Sequence, residues 1–142
     1  MRGYQAAVQI GAAPGAVWAV LVDGAGWTSW DSAIVRFEGT IAPGDKVTVH
    51  PEVNPERGFP VKVVEFVPAT RMTWRGGMPL GLFTGTRTFR LLPQDGGTRF
   101  ELREEYTGPM AGLIFGSIPD LQPSFERFVK GLKQRVEQGA GA

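Results

Sequence analysis

Residues Pro109–Gly139 read PMAGLIFGSIPDLQPSFERFVKGLKQRVEQG, and from Ile118 onward the apolar positions are Ile118, Leu121, Phe125, Phe128, Val129, Leu132 and Val136. Steps of three and four place them on one stripe of an α-helix. The other face carries Glu126, Arg127, Lys130, Lys133, Gln134, Arg135 and Glu137, so the helix needs one apolar partner and otherwise meets water. Its beginning is less regular. Met110–Phe115 is apolar all round, Gly116 loosens the backbone, and Pro119 and Pro123 each lack an amide donor. A break is expected near Gly116–Pro119, with a continuous helix from about Asp120. Met110, Leu113, Ile114 and Phe115 would then form a semi-independent lid.

The chain before this helix reads as β-strand. Tyr4, Ala6, Val8 and Ile10 alternate with Gln5, Ala7 and Gln9, the pattern of a half-buried first strand. Pro14 opens a short helix in which Val17, Trp18 and Leu21 share a face. A second short helical turn follows around Trp27–Asp31, with Trp27 and Trp30 expected on the rim of the sheet. Strands are then expected over Ala33–Ala42, Lys46–His50, Phe59–Val67, Arg71–Gly76, Leu82–Leu92 and Thr98–Thr107. Short turns join most of them, so the order is an antiparallel meander. Pro51–Gly58, with two prolines and alternating charge, reads as a loop at the mouth of the structure. These elements make one α+β domain over residues 1–142, with the long helix on one face of a seven-stranded antiparallel sheet.

Composition removes whole classes of chemistry. The 142 residues include no cysteine and one histidine, so thiolate nucleophiles, disulfides and cysteine- or histidine-based zinc sites are excluded within one chain. Fifteen Lys and Arg against fourteen Asp and Glu leave a net charge of +1, which favours neither nucleic acid nor an anionic membrane. No apolar run reaches the length of a membrane span, and the first residues lack the apolar core of a signal peptide, so a cytoplasmic location is expected. No metal or cofactor is expected. Oligomeric state is open between monomer and homodimer.

Several short patterns converge on a known family. They are Ile10-x-Ala12-Ala13-Pro14-x-x-Val17-Trp18, Trp27-x-x-Trp30-Asp31, Val64-Glu65-Phe66 with Pro68, Met72-x-Trp74, and Gly97-Thr98-Arg99-Phe100-x-Leu102, followed by the amphipathic terminal helix. Together they resemble the START-like, polyketide cyclase/dehydrase-like superfamily (SRPBCC) over nearly the whole chain. The resemblance implies a helix-grip fold, a seven-stranded sheet wrapped round the terminal helix with a deep apolar cavity between them. It implies a shape and leaves the chemistry open.

The hairpin Leu82–Thr107 carries the candidate site. Phe83, Gly85, Arg87, Phe89 and Leu91 share the inward face of its first strand, and Phe100, Leu102, Glu104 and Tyr106 that of its second. The intervening Pro93–Gly97 loop sets a register in which Leu91 faces Phe100, Phe89 faces Leu102 and Arg87 faces Glu104. Two inward charges would therefore meet, either as a structural ion pair or as a pair that orients a ligand. On the preceding strand Trp74 is expected opposite Gly85, as a packing lid on the glycine or as a ligand-stacking wall. Gly76–Phe83 is a glycine-rich, apolar turn that would serve as an entry lip or an ordinary hairpin.

Other polar residues are weaker candidates. His50 shares parity with Lys46 and Thr48, opposite Val47 and Val49, and is expected to point outward. Glu65 reads as a solvated strand position and Asp31 as a turn cap. The strings Gly85-Thr86-Arg87-Thr88-Phe89 and Gly97-Thr98-Arg99-Phe100 lie in or before strands and lack a following helix N-terminus, so nucleotide binding is disfavoured.

Three functions follow. The first is binding of a small hydrophobic molecule such as a lipid, polyketide or aromatic metabolite. Trp74, Phe83, Phe89, Leu102, Tyr106, Phe115, Phe125 and Phe128 would supply the wall, and Arg87 with Glu104 the polar contacts. The second is a cofactor-free cyclase or dehydratase, with Arg87, Glu104 and Tyr106 as candidate catalytic groups. The third is a chaperone-like interaction module.

Overall fold

A computed structural model describes residues 2–140. Its strands are β1 (Gly3–Ile10), β2 (Ile34–Glu38), β3 (Lys46–Pro51), β4 (Phe59–Val67), β5 (Arg71–Met78), β6 (Phe83–Gln94) and β7 (Gly97–Thr107). They form a single antiparallel sheet in the order β1-β7-β6-β5-β4-β3-β2. Helix α1 (Pro14–Leu21) and a 3-10 turn (Gly24–Ser29) follow β1, while α2 (Ala111–Ser117) and α3 (Gln122–Ala140) follow β7. The α+β helix-grip architecture expected from the sequence is what the chain adopts.

The β6–β7 hairpin is tied by the two-residue turn Asp95-Gly96, both with positive φ (52° and 77°), which matches the twist of the strands it joins. That turn fixes the register: Leu91 faces Phe100, Phe89 faces Leu102 and Arg87 faces Glu104. The β5–β6 register differs from expectation. Gly76, rather than Trp74, lies opposite Gly85, and Trp74 lies opposite Arg87. The cause is the long connection: β5 continues two residues beyond Gly76, and the turn is confined to Pro79–Leu82.

Helix α3 buries Phe125, Phe128, Val129, Leu132 and Val136 and leaves its charged face in solvent. Ile118 and Leu121 precede its first turn, where the Asp120 carboxylate accepts from the Gln122 amide at 3.0 Å. The chain does break between Ser117 and Gln122. Gly131, a poor helix former, is buried at the point where α3 meets the Asp31 backbone, and a Cβ there would stand 2.0 Å from the Asp31 carbonyl. The helix also satisfies the edge strand. Gln122 and Lys133 donate to the carbonyls of Gln5 and Gln9, each at 2.7 Å, and the Gly11 amide donates to Glu137 at 2.8 Å. These bonds occupy backbone groups that β1 would otherwise offer to another strand. Lys133, and next the Gly11 amide, hold the Glu137 carboxyl below its usual value.

The core centres on a residue assigned from sequence to the rim. Trp27 is fully buried, and its ring stacks on Trp74 at 5.5 Å and meets Phe128 at 5.0 Å. Its indole donates to the Leu21 carbonyl at 3.0 Å, so its polar atom is satisfied as well. The 3-10 turn carries Trp27 under the helix because β1 and β2 are opposite edges of the sheet, and the segment joining them must cross the concave face. Trp30 is half-buried and packs on Phe128 at 5.3 Å.

Candidate functional site at the open end of the grip

The concave face divides into two halves. Toward one end, Trp74, Phe89, Leu102 and Phe128 are all at most 3 % exposed. Phe89 lies 4.9 Å from Trp74 and 6.3 Å from Phe128, so these four candidate ligand contacts belong to the packed core. Toward the other end Tyr4 and Phe125 are buried but Phe83, Arg87, Glu104, Tyr106 and Phe115 are only partly covered, and here the polar candidates come together.

Arg87 and Glu104 face each other across β6 and β7. Arg87 Nη2 donates to Glu104 Oε2 at 3.0 Å, and the side chains are 19 % and 15 % exposed. The Tyr106 hydroxyl donates to the same oxygen at 3.0 Å. Burial, and then the neighbouring Glu104 carboxylate, push the Tyr106 phenol far above its ordinary value, so it stays a neutral donor. Beneath, the Arg87 guanidinium lies on the Phe125 ring at 4.8 Å, a cation–π contact that positions it from the helix side.

Aromatic rings frame this triad. Phe83 stacks on Tyr106 at 5.5 Å, and Phe115 of α2 lies 5.8 Å from Tyr106 and 5.4 Å from Tyr4. Tyr4 also meets Phe125 at 5.4 Å and donates to the Pro119 carbonyl at 3.4 Å. The apolar segment after Gly108 thus covers this end as a separate short helix.

Two glycines meet beside the triad. Gly85 lies between Tyr106 and Gly76 in register, so two adjacent strands present no side chain there. A Cβ on Gly85 would stand 3.4 Å from the Tyr106 ring and 3.7 Å from Glu104 Oε1. Glu104 Oε1, which accepts no hydrogen bond among the described residues, therefore stands beside Gly85. Trp74 Nε1 is likewise buried without an acceptor among those residues.

Three weaker candidates lie elsewhere. His50 is on the outer face, since Val47 and Val49 are the buried positions of β3, and its Nδ1 sits 3.1 Å from the Pro55 carbonyl under the β3–β4 loop. Glu65 is on the outer surface, where Arg71, at 2.8 Å, holds its carboxyl below the usual value. Asp31 caps no turn. It pairs with Arg127 of α3 at 2.6 Å, and Arg127 also bonds Glu52 of the β3–β4 loop. A broad, charged depression of about 740 Å³ lies on the opposite side of the sheet, bordered by Arg90, Arg99, Glu101 and Arg103 among others. No group of His, Cys, Asp and Glu suited to a metal occurs among the described residues.

Sequence reasoning missed two contributors. Tyr4 sits opposite Glu104, but that contact joins strands a hundred residues apart in the chain. The glycine floor needed the true β5–β6 register. The alternation of β1 did place Tyr4 inward, and was the available signal.

A seven-stranded antiparallel sheet curled on a terminal helix, with a part-buried polar group at its open end, defines a helix-grip domain. The chain belongs to the polyketide cyclase/dehydrase and lipid transport family, whose model matches residues 1–137. No curated protein matches it. Solved structures of similar fold include the Zhui aromatase/cyclase from a Streptomyces species (TM-score 0.76, 15% identity, covering 98% of this chain and 95% of that one). The protein TTHA0849 from Thermus thermophilus is 24% identical (TM-score 0.73, covering 97% and 99%). The di-domain ARO/CYC StfQ from the steffimycin biosynthetic pathway is 15% identical (TM-score 0.75), with 99% of this chain matching 52% of that one. No described helix is long and apolar enough to cross a membrane.

Proposed function

We propose that this domain binds a small, largely apolar molecule at the open end of the grip and orients it through one oxygen function held by Arg87, Glu104 and Tyr106. The observation that carries this reading is the carboxylate of Glu104. Two donors fix it through Oε2, while Oε1 stands beside Gly85, and the ligand would enter over that glycine, in the trough this reading requires. A fixed acceptor beside an aromatic-lined, side-chain-free floor is the usual composition of a small-molecule site. Phe83, Tyr106, Phe115 and Phe125 supply the apolar wall, and the family description, which includes lipid transport, supports the same class of ligand.

Gly85→Leu tests it. The leucine occupies the trough from the floor, so binding of an apolar fluorophore should weaken about ten-fold or more, the equivalent of one lost leucine-sized contact. Any apolar metabolite seen by native mass spectrometry in protein from its host should disappear in the variant. Unchanged binding in a folded Gly85→Leu protein would refute the site.

The second reading is a cyclase or dehydratase acting in the same place. It is supported by the family description and by a carboxylate, Glu104, and a phenol, Tyr106, bonded side by side at the same end of the sheet. Binding is preferred because burial holds Tyr106, the titratable group bonded to Glu104, in its neutral form, and His50 is on the far side of the sheet. Turnover of a poly-β-ketone analogue that is lost in Glu104→Gln and kept in His50→Ala would reverse that preference.

A further inference from the structure

Residues directly opposite one another on antiparallel strands share a face of the sheet, so the inward surface is built of rows. One row runs Tyr4, Glu104, Arg87, Trp74 and Val63 across β1, β7, β6, β5 and β4. The row on the core side, Ala6, Leu102, Phe89, Met72 and Phe66, is apolar throughout. On the open side Tyr106, Gly85 and Gly76 stand in line. Arg87 and Glu104 are the only charges in these three rows, and they are bonded to each other. The surface here is therefore electrically neutral before any ligand arrives.

The donors of this group are already directed at its own carboxylate. Arg87 Nη2 and the Tyr106 hydroxyl both donate to Glu104 Oε2, each at 3.0 Å. Burial keeps the phenol protonated, so its one hydrogen stays in that bond. What remains toward Gly85 is an acceptor. Glu104 Oε1 lies 3.7 Å from where a Cβ on that glycine would stand, and it accepts nothing among the described residues. It is also reachable from outside, because the fully buried side-chain atoms without a partner among those residues are Gln9 Oε1 and Trp74 Nε1, and Glu104 Oε1 is not one of them. An ionised carboxylate only accepts, so Oε1 calls for a hydrogen from whatever settles over Gly85.

We infer that the polar end of the ligand is an uncharged hydroxyl, of an alcohol or a phenol, whose hydrogen goes to Glu104 Oε1. This hydroxyl is the oxygen function of the binding reading above, on which the inference rests. A free carboxylic acid would set a second anion beside Glu104 with the one inward cation already engaged. A ketone or ester would turn its oxygen on another acceptor. An ammonium would place two cations on one carboxylate in a part-buried position, where the excess charge is costly. A hydroxyl satisfies Oε1 without altering the charge, and hydrogen bonds to an ionised acceptor are the stronger kind.

Equilibrium dialysis of the full chain at neutral pH against naphthol, methylnaphthalene, acetylnaphthalene, naphthoate and naphthylmethylammonium, all substituted at one ring position, tests it. The probes share an apolar body and differ in what they show to Glu104. Naphthol should bind about ten-fold more tightly than methylnaphthalene or acetylnaphthalene, the worth of one hydrogen bond to a charged acceptor. Naphthoate should bind weakest. Glu104→Gln should then change the order, because Arg87 and Tyr106 both need the amide oxygen and the amide nitrogen, which offers hydrogens, takes the place of Oε1. In that variant the preference for naphthol over acetylnaphthalene should vanish, and naphthoate should bind about ten-fold more tightly than it does to the parent. The order of the probes on the parent protein decides the matter whether or not the variant folds. Equal binding of the three neutral probes by the parent would overturn the inference while leaving the binding reading in place. So would tighter binding of naphthoate, which would make Arg87 the anchor, or of the ammonium, which would make charge rather than the hydrogen bond decisive. Failure of every probe to bind, methylnaphthalene included, would overturn both.

Discussion

Arg87 and Glu104, seventeen residues apart, face each other across the β6–β7 hairpin with Nη2 3.0 Å from Oε2. Neither is free to rearrange, since Phe125 supports the guanidinium and Tyr106 donates to the same carboxylate oxygen. A pair held from both sides and mostly withdrawn from solvent differs from a surface ion pair, whose contribution is close to nothing.

A double-mutant cycle with Arg87→Met and Glu104→Gln, followed by urea unfolding, should therefore give a coupling energy of about 1–3 kcal/mol. Each single variant leaves one polar partner part-buried and short of a bond, so the double variant should be less destabilised than the sum of the singles. A coupling energy near zero would mean that water screens the pair fully.

Trp27 and Trp30 are three residues apart and should behave differently. Trp27→Ala removes a fully buried ring contacting Trp74, Phe89 and Phe128 and strands the Leu21 carbonyl, a loss of about 3–5 kcal/mol. Trp30→Ala, at a half-buried position, should cost about 1–2 kcal/mol. Equal unfolding midpoints for the two variants would contradict the placement of Trp27 at the centre of the core.

The Tyr106 phenol gives a pH dependence with a definite sign. Its folded-state value is raised above the unfolded 10.0, so above that pH the unfolded chain releases a proton that the folded one keeps. Its contribution is present in full below pH 10 and is lost as pH rises further. In a Tyr4→Phe background, leaving Tyr106 as the remaining tyrosine, absorbance near the phenolate band should stay flat through the usual range and rise with alkaline unfolding. A normal ionisation curve in folded protein would show that the phenol is solvated.

Arg127 ties α3 to two loops through Asp31 and Glu52. Arg127→Met should speed amide exchange at Asn54 and Arg57, whose backbone bonds lie within the β3–β4 loop, and leave the amides of β6 and β7 unchanged. Unaltered loop exchange would show that the loop's own turns suffice to hold it.

The helical stripe from Phe125 to Val136, the strand alternation and the inward facing of Arg87 and Glu104 were all legible in the sequence. Each follows from local periodicity, and the last also from a two-residue turn that leaves one register available. The break before α3 was legible too, because glycine and proline act on their own backbone. Misplaced features depended on longer connections. Trp74 was set two residues out of register because the β5–β6 turn has no single compulsory form, and Asp31 was read as a cap because Arg127, its partner, lies ninety-six residues away. Trp27 looked peripheral for the same reason. That β1 and β2 are opposite edges of the sheet, which forces their connection through the core, is set by pairing between distant strands, and so is the seat of Tyr4 beside Glu104. Local pattern thus fixed which side chains point inward, whereas long-range pairing decided which of them fill the core and which surround the Arg87–Glu104 pair.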